Sequence, residues 1–320
     1  MGKIIEIDKR ISLIDGNDLN RQLRTGSYLL KERDLTIIET SASPSIPYLL
    51  EGLSQLEIQP EEIKYIILTH IHLDHAGGAG LLLEKCPNAS IIVHKKGARH
   101  LEDPSRLIAG AKAVYGADFD TLFNPIIPIP RERIIIKEDR ETLSISETST
   151  LTFFDTPGHA NHHLSILDHV SNGMFSGDTV GIYYRELDQD NIELFLPTTS
   201  PNQFNPEAML AAADLYKELG TEKIYFGHFG ASSNPSQVYS QLKFWLPIFL
   251  ETAVKAHESN EAFEDKLASL SAGLYDRVRE FLRQKGIEDN HPVYEILALD
   301  VRVCSMGLLD YLIKQKQMRS

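Results

Sequence analysis

The sequence predicts a mixed α/β protein, with strands and helices interleaved over the first 235 residues and a helical region after them. Three observations lead there. Short aliphatic or β-branched runs bounded by polar, Gly or Pro turns recur between Ile11 and Phe226. Several of them end on a His or Asp beside a glycine. From Pro235 onward apolar residues recur three or four apart, over stretches too long for strands. A chain of 320 residues can bury a large core.

In chain order, residues 11–14, 27–30 and 35–40 read as strands and 47–56 as a helix. Pro60-Glu61-Glu62 opens a short helical turn before a strand at 65–68; 81–85 continues as a helix and 91–93 is a buried strand. Residues 97–130 read as a less regular insertion with short helices, closed by Asn124-Pro125 and Pro128-Ile129-Pro130, and as a wall for a substrate. Strands resume at 133–136, 151–154, 164–167, 173–175 and 224–226. Between the last two lies a helix at 206–219, capped by Asn205 before Pro206 and ended by Gly220. Helices follow at 237–257, 261–285 and 293–317, broken by Gly286 and His291-Pro292. The expected division is a first domain over 1–235 and a helical region over 236–320.

Composition narrows the function. At 42% hydrophobic and 24% charged the chain is an ordinary globular one. A formal charge of -13 disfavours non-specific nucleic-acid binding, so no nucleic-acid partner is expected. Cys86 and Cys304 form no metal-like pair and read as buried small apolar residues in a reducing compartment. Neither a signal-peptide shape nor a membrane-length apolar run is evident, so the expected location is cytoplasmic, off the membrane.

The densest chemistry is His70-Ile71-His72-Leu73-Asp74-His75, after the apolar run at 65–68 and before Ala76-Gly77-Gly78. Imidazole and carboxylate are donors that zinc and similar ions accept. In an extended segment His70, His72 and Asp74 project to one side, and a turn brings His75 round. Further strand ends carry Asp155-Thr156-Pro157-Gly158-His159, Ser176-Gly177-Asp178-Thr179 and Gly227-His228. Strand ends are fixed points from which such side chains can meet.

In these four motifs, and in their order, residues 1–235 resemble the metallo-β-lactamase fold superfamily, in particular its glyoxalase-II-like and lactonase-like hydrolases. The resemblance implies a four-layer αββα sandwich with the last helices as an appendage. Carried over by motif, His70, His72 and His159 would hold one metal ion, Asp74, His75 and His228 a second, and Asp178 would bridge them. Two zinc ions are implied, with iron or manganese compatible with the same donors. The implied partner is a small-molecule substrate, and the implied reaction is hydrolysis of a small ester, lactone or thioester by a bridging hydroxide, which Asp74 and Asp178 orient and whose proton they pass on. The alternatives are an oxidoreductase resembling the mononuclear-iron persulfide dioxygenases, and a non-catalytic metal-binding protein.

Other residues read less sharply. Related hydrolases often carry Gly-His where this chain has His162-His163, a pair expected to support the ligands or to face solvent. His94 and His100 read as surface histidines, and Tyr225 as packed in the core or exposed on a loop. Tyr183, Tyr184 and Arg106 are the candidates for contacting a substrate. The C-terminal helices either finish the core or form a lid or homodimer surface.

Overall fold

The computed structural model describes residues 3–319, which form two compact units. The first unit runs from the N-terminal strand to Thr156 and includes His162–Gly177 and Glu218–Pro235. The second comprises Pro157–Asn161, Asp178–Lys217 and the chain from Ser236 onward. Residues 178–217 thus group with the last helices, not with the sheets.

In chain order the first unit begins with β1 (Ile4–Glu6), β2 (Ile11–Asp15), β3 (Gly26–Leu30) and β4 (Leu35–Ile38), paired antiparallel in sequence. Next come α1 (Ile46–Gln55), β5 (Ile63–Ile67), the single turn α2 (Leu73–Ala76), α3 (Ala79–Lys85) and β6 (Ser90–His94). Then α4 (Lys95–Glu102), α5 (Ser105–Tyr115) and α6 (Phe119–Phe123) lead to β7 (Ile134–Lys137). β4 to β7 pair in parallel. Parallel neighbours need a crossover, since no hairpin can join them. Residues 97–130, expected as an irregular insertion, are therefore mostly helical and form the β6–β7 crossover.

A second sheet holds β8 (Thr142–Ser144), β9 (Thr150–Asp155), β10 (Leu164–Asp168) and β11 (Gly173–Gly177). In the second unit β12 (Ile182–Tyr183) pairs with β13 (Phe195–Leu196), and α7 (Pro206–Glu218) follows. The expected cap is present: Asn205 Oδ1 accepts the Ala208 N–H at 3.0 Å. β14 (Lys223–Phe226) and β15 (Ala231–Ser232) return to the second sheet, β14 parallel to β11. The chain closes with α8 (Pro235–His257), α9 (Phe263–Gln284) and α10 (Val293–Arg319). Among the described residues no helix is long and apolar enough to cross a membrane.

Two of the apolar cores of the first unit pack against its sheets. One packs Ile46, Leu49 and Leu53 of α1 and Leu82 of α3 against Ile37, Ile66 and Ile91 of the first sheet. The other lies between the sheets, where Ile11, Leu13, Ile38 and Ile67 meet Leu151, Phe153, Ile166 and Phe175. Each such side chain contributes on the order of 1.5–3 kcal/mol when fully buried. Where both faces of the first sheet are covered, as at Ile91, Ile92 and Val93 of β6, apolar residues run consecutively instead of alternating. This core also aims a loop. The Tyr28 ring lies 5.1 Å from Phe175, and its hydroxyl lies 2.7 Å from the carbonyls of both Phe226 and Gly230. Those carbonyls bracket the β14–β15 turn, where Phe229 and Gly230 adopt positive φ and His228 is presented.

Candidate metal centre

The segment after β5 leaves the sheet, so its backbone must find other partners. The Leu68 N–H still donates to Ile92 O at 2.9 Å. The Thr69 N–H donates to the carboxylate of Glu39 at 3.1 Å, and the Ile71 N–H to Nδ1 of His162 at 3.4 Å. His72 is extended (φ -62°, ψ 148°), and α2 starts directly after it. Asp74 and His75 therefore stand on a helical turn. The expectation of one extended run from His70 to Asp74 is corrected: the His75 and Ala76 N–H groups close onto His72 O, which curls the chain.

The candidate ligands of the first unit converge. The His70 and His72 ring centroids are 4.7 Å apart, those of His70 and His75 4.2 Å, and those of His75 and His228 5.1 Å. Donor atoms of Asp74, His75 and His228 lie within 4.8 Å of one another, as do those of Glu39, His70 and His75. Oδ2 of Asp74 is 3.5 Å from Nε2 of His228 and 3.7 Å from Nε2 of His75. Nδ1 of His75 instead faces Oε2 of Glu39 at 3.3 Å. A carboxylate on Nδ1 draws the ring proton there and leaves the Nε2 lone pair for an ion. Thr69 Oγ1 lies 3.0 Å from Nδ1 of His70 and, as a hydroxyl, can pair with either tautomer of that ring.

The other two predicted ligands belong to the second unit, where Nε2 of His159 is 3.5 Å from Oδ2 of Asp178. Nδ1 of His159 is 3.1 Å from Thr198 O, which can only accept, so here too Nε2 carries the lone pair. The donor set is imidazole and carboxylate throughout, which suits zinc or a similar divalent ion.

Two carboxylates carried no recognisable sequence signal. Glu39 directly follows β4, with φ +67°, and is buried. Asp18 is buried in a turn with Asn17, Leu19 and Asn20 at positive φ. Burial pushes its carboxyl up to about 6, Asp74 acts in the same direction, and Arg24, His228 and His75 oppose it.

The remaining candidates are placed as follows. His162 and His163 are both buried beside the ligands, which removes the solvent-facing reading. His94, expected on the surface, is buried at the end of β6; its Nδ1 accepts the Lys96 N–H and its Nε2 faces Asp155 at 3.7 Å. Burial holds its pKa below the ordinary value, against the pull of Asp155. His100 is half-buried. Tyr225 lies in the core. Tyr184, expected to offer its phenol to a substrate, instead buries it and donates to Asp300 at 2.8 Å, since a buried hydroxyl needs a partner. Tyr183 is engaged by Asp188 at 3.3 Å and lines a 310 Å³ cavity with Asn191, Ile192 and Glu193. Arg106 is exposed on α5. Cys86 and Cys304 are buried free thiols, both pushed up to about 12 by burial.

The chain is similar in sequence and fold to known proteins. The metallo-beta-lactamase superfamily profile matches residues 22–228, well over half of the chain. The metallo-beta-lactamase fold-containing protein ST1585 of Sulfurisphaera tokodaii is 28% identical over 176 residues, 54% of this chain and 63% of that one. The chain thus aligns to less than two thirds of that relative. The N-acyl homoserine lactonase AttM of Rhizobium radiobacter is 28% identical over 123 residues, 38% of this chain and 42% of that one. Among solved structures, the metallo-beta-lactamase family protein TTHA1429 from Thermus thermophilus superposes with a TM-score of 0.63 at 18% identity, covering 91% of this chain and 89% of that one. The fold agrees with the mixed α/β architecture and its C-terminal helices. On the matched profile and this shared fold, the chain belongs to the metallo-beta-lactamase superfamily.

Proposed function

We propose that this chain is a metal-dependent hydrolase of a small ester, lactone or thioester. In this reading His70, His72 and His159 hold one ion, Asp74, His75 and His228 a second, and Asp178 is shared, as the order of the family's motifs implies. The observation that carries it is the convergence of two Nε2 atoms, of His75 and His228, on Asp74 Oδ2, with Glu39 holding the opposite nitrogen of His75. Borderline divalent ions supply Lewis acidity at a carbonyl and a water acidic enough to ionise near neutral pH. The chain's own contribution is orientation. Glu39 sets the ring tautomer of His75, Thr69 holds the His70 ring in place, and the partly exposed Asp74 carboxylate can hold a proton beside them. The lactonase relative supports the lactone class, and the acidic net charge favours a small molecule over nucleic acid.

The test pairs elemental analysis with a panel of thioesters, lactones, esters and a phosphodiester, run on metal-replete, chelated and His72→Ala protein. The expected result is turnover of at least one acyl substrate, lost on chelation and in the variant, and restored to the wild type by zinc. Metal-replete protein inert on the whole panel, or a His72→Ala variant equal to wild type, would overturn the reading.

A further inference from the structure

His162 lies against two of the candidate ligands. It is 5% exposed. Its ring meets His72 edge to face at 5.4 Å and lies nearly parallel to His70 at 6.2 Å, so one imidazole borders two ligands. Its Nδ1 accepts the N–H of Ile71, the residue between them, at 3.4 Å.

The mechanical consequence follows from the backbone. Ile71 lies past the end of β5, so its N–H finds its acceptor in a side chain. The Ile71 side chain is fully buried in the core beneath α3 and α4. The peptide joining His70 to Ile71 is thereby pinned by an apolar anchor at Ile71 and a polar one at His162. Rotating that peptide would swing both flanking imidazoles. The neighbouring His163 braces the same group: it stacks on His70 at 5.1 Å and is held by Thr156 Oγ1 at 3.0 Å, which in turn lies 2.6 Å from Ser165 Oγ.

We infer that His162 is a positioning residue that sets the spacing and orientation of the His70–His72 ligand pair by accepting from the Ile71 amide. The inference rests on the metal-site reading above. It concerns affinity for the ion, not bond breaking, so metal binding is the direct readout.

The experiment uses zinc(II) alone as the probe. Zinc affinity is measured by competition with a chromophoric chelator for wild type, His162→Leu and His162→Asn, and thermal unfolding of each metal-free protein is followed in parallel. Leucine keeps the volume without an acceptor, whereas the Asn Oδ1 can sit where Nδ1 sits. Loss of a group that orients metal ligands typically costs about 10–100-fold in metal affinity, so His162→Leu should bind zinc at least about tenfold more weakly, and His162→Asn within about threefold of wild type. The Leu variant's cobalt(II) absorption bands should shift as well, while those of the Asn variant stay. A Leu variant that binds zinc like wild type overturns the inference. So does an Asn variant as weak as the Leu variant while its metal-free form melts like wild type. Wild-type protein that takes up no zinc sinks the metal-site reading itself, and the two failures are thereby distinguishable.

Discussion

Gly177 ends β11 with φ +47°, directly before Asp178, and a single methyl there should disturb the site from behind. A Cβ at this position would stand 2.5 Å from both Nε2 of His163 and Oγ1 of Thr69, and 2.9 Å from the Thr69 Cβ. A methyl carbon does not sit that close to non-bonded atoms, so something must shift. Left-handed backbone costs a residue with a Cβ about 1–2 kcal/mol. Forcing a methyl into a packed interior costs about 1–3 kcal/mol more. Gly177→Ala should therefore lose about 2–5 kcal/mol of stability. Gly220 supplies the control: its φ is +67°, but no atom lies within 4 Å of its Cβ position, so Gly220→Ala should show the backbone part alone, about 1–2 kcal/mol. Urea unfolding of the metal-free variants measures both, and the difference isolates the steric part. Because Thr69 Oγ1 lies 3.0 Å from Nδ1 of His70, the Gly177 variant should also bind zinc more weakly, and the Gly220 variant should not. Equal losses in the two variants, with unchanged zinc affinity, would refute the reasoning.

Two further outcomes follow from the buried carboxylates. Glu39→Gln keeps an oxygen for the Thr69 N–H but removes the charge facing Nδ1 of His75, so zinc affinity should fall about tenfold with little change in metal-free stability; an affinity within about twofold of wild type would count against the tautomer argument. Asp18, with its carboxyl pushed up to about 6 by burial, binds its proton more tightly folded than unfolded. Its contribution to metal-free stability is thus fully present below about pH 4 and is lost as pH rises through about 6, on the order of 3 kcal/mol. Asp18→Asn should flatten that part of the pH–stability profile of chelated protein, and a profile identical to wild type would remove Asp18 from the account.

The long elements were legible because they rest on local pattern. Periodicity marks the three last helices, and Asn205, Gly220 and Gly286 mark helix ends by backbone chemistry that needs no tertiary partner. The edge strands β1 and β8 are three residues each and have too little pattern to read. The segment 97–130 misled for a different reason: a crossover is defined by the strands on either side being parallel neighbours, a relation between distant residues. Tyr184 looked available because its partner Asp300 lies in the last helix, far along the chain.

The candidate ligand motifs were legible in the sequence alone, since a metal donor set is a matter of residue type and spacing at strand ends, and both are written locally. How those donors are held was decided only by the tertiary structure. Glu39 reaches Thr69 and His75, His162 reaches Ile71, and Tyr28 reaches the carbonyls on either side of His228. These contacts join strands that are neighbours in space and far apart in sequence. Packing, not spacing, selects them, and packing leaves no local signature for a sequence to show.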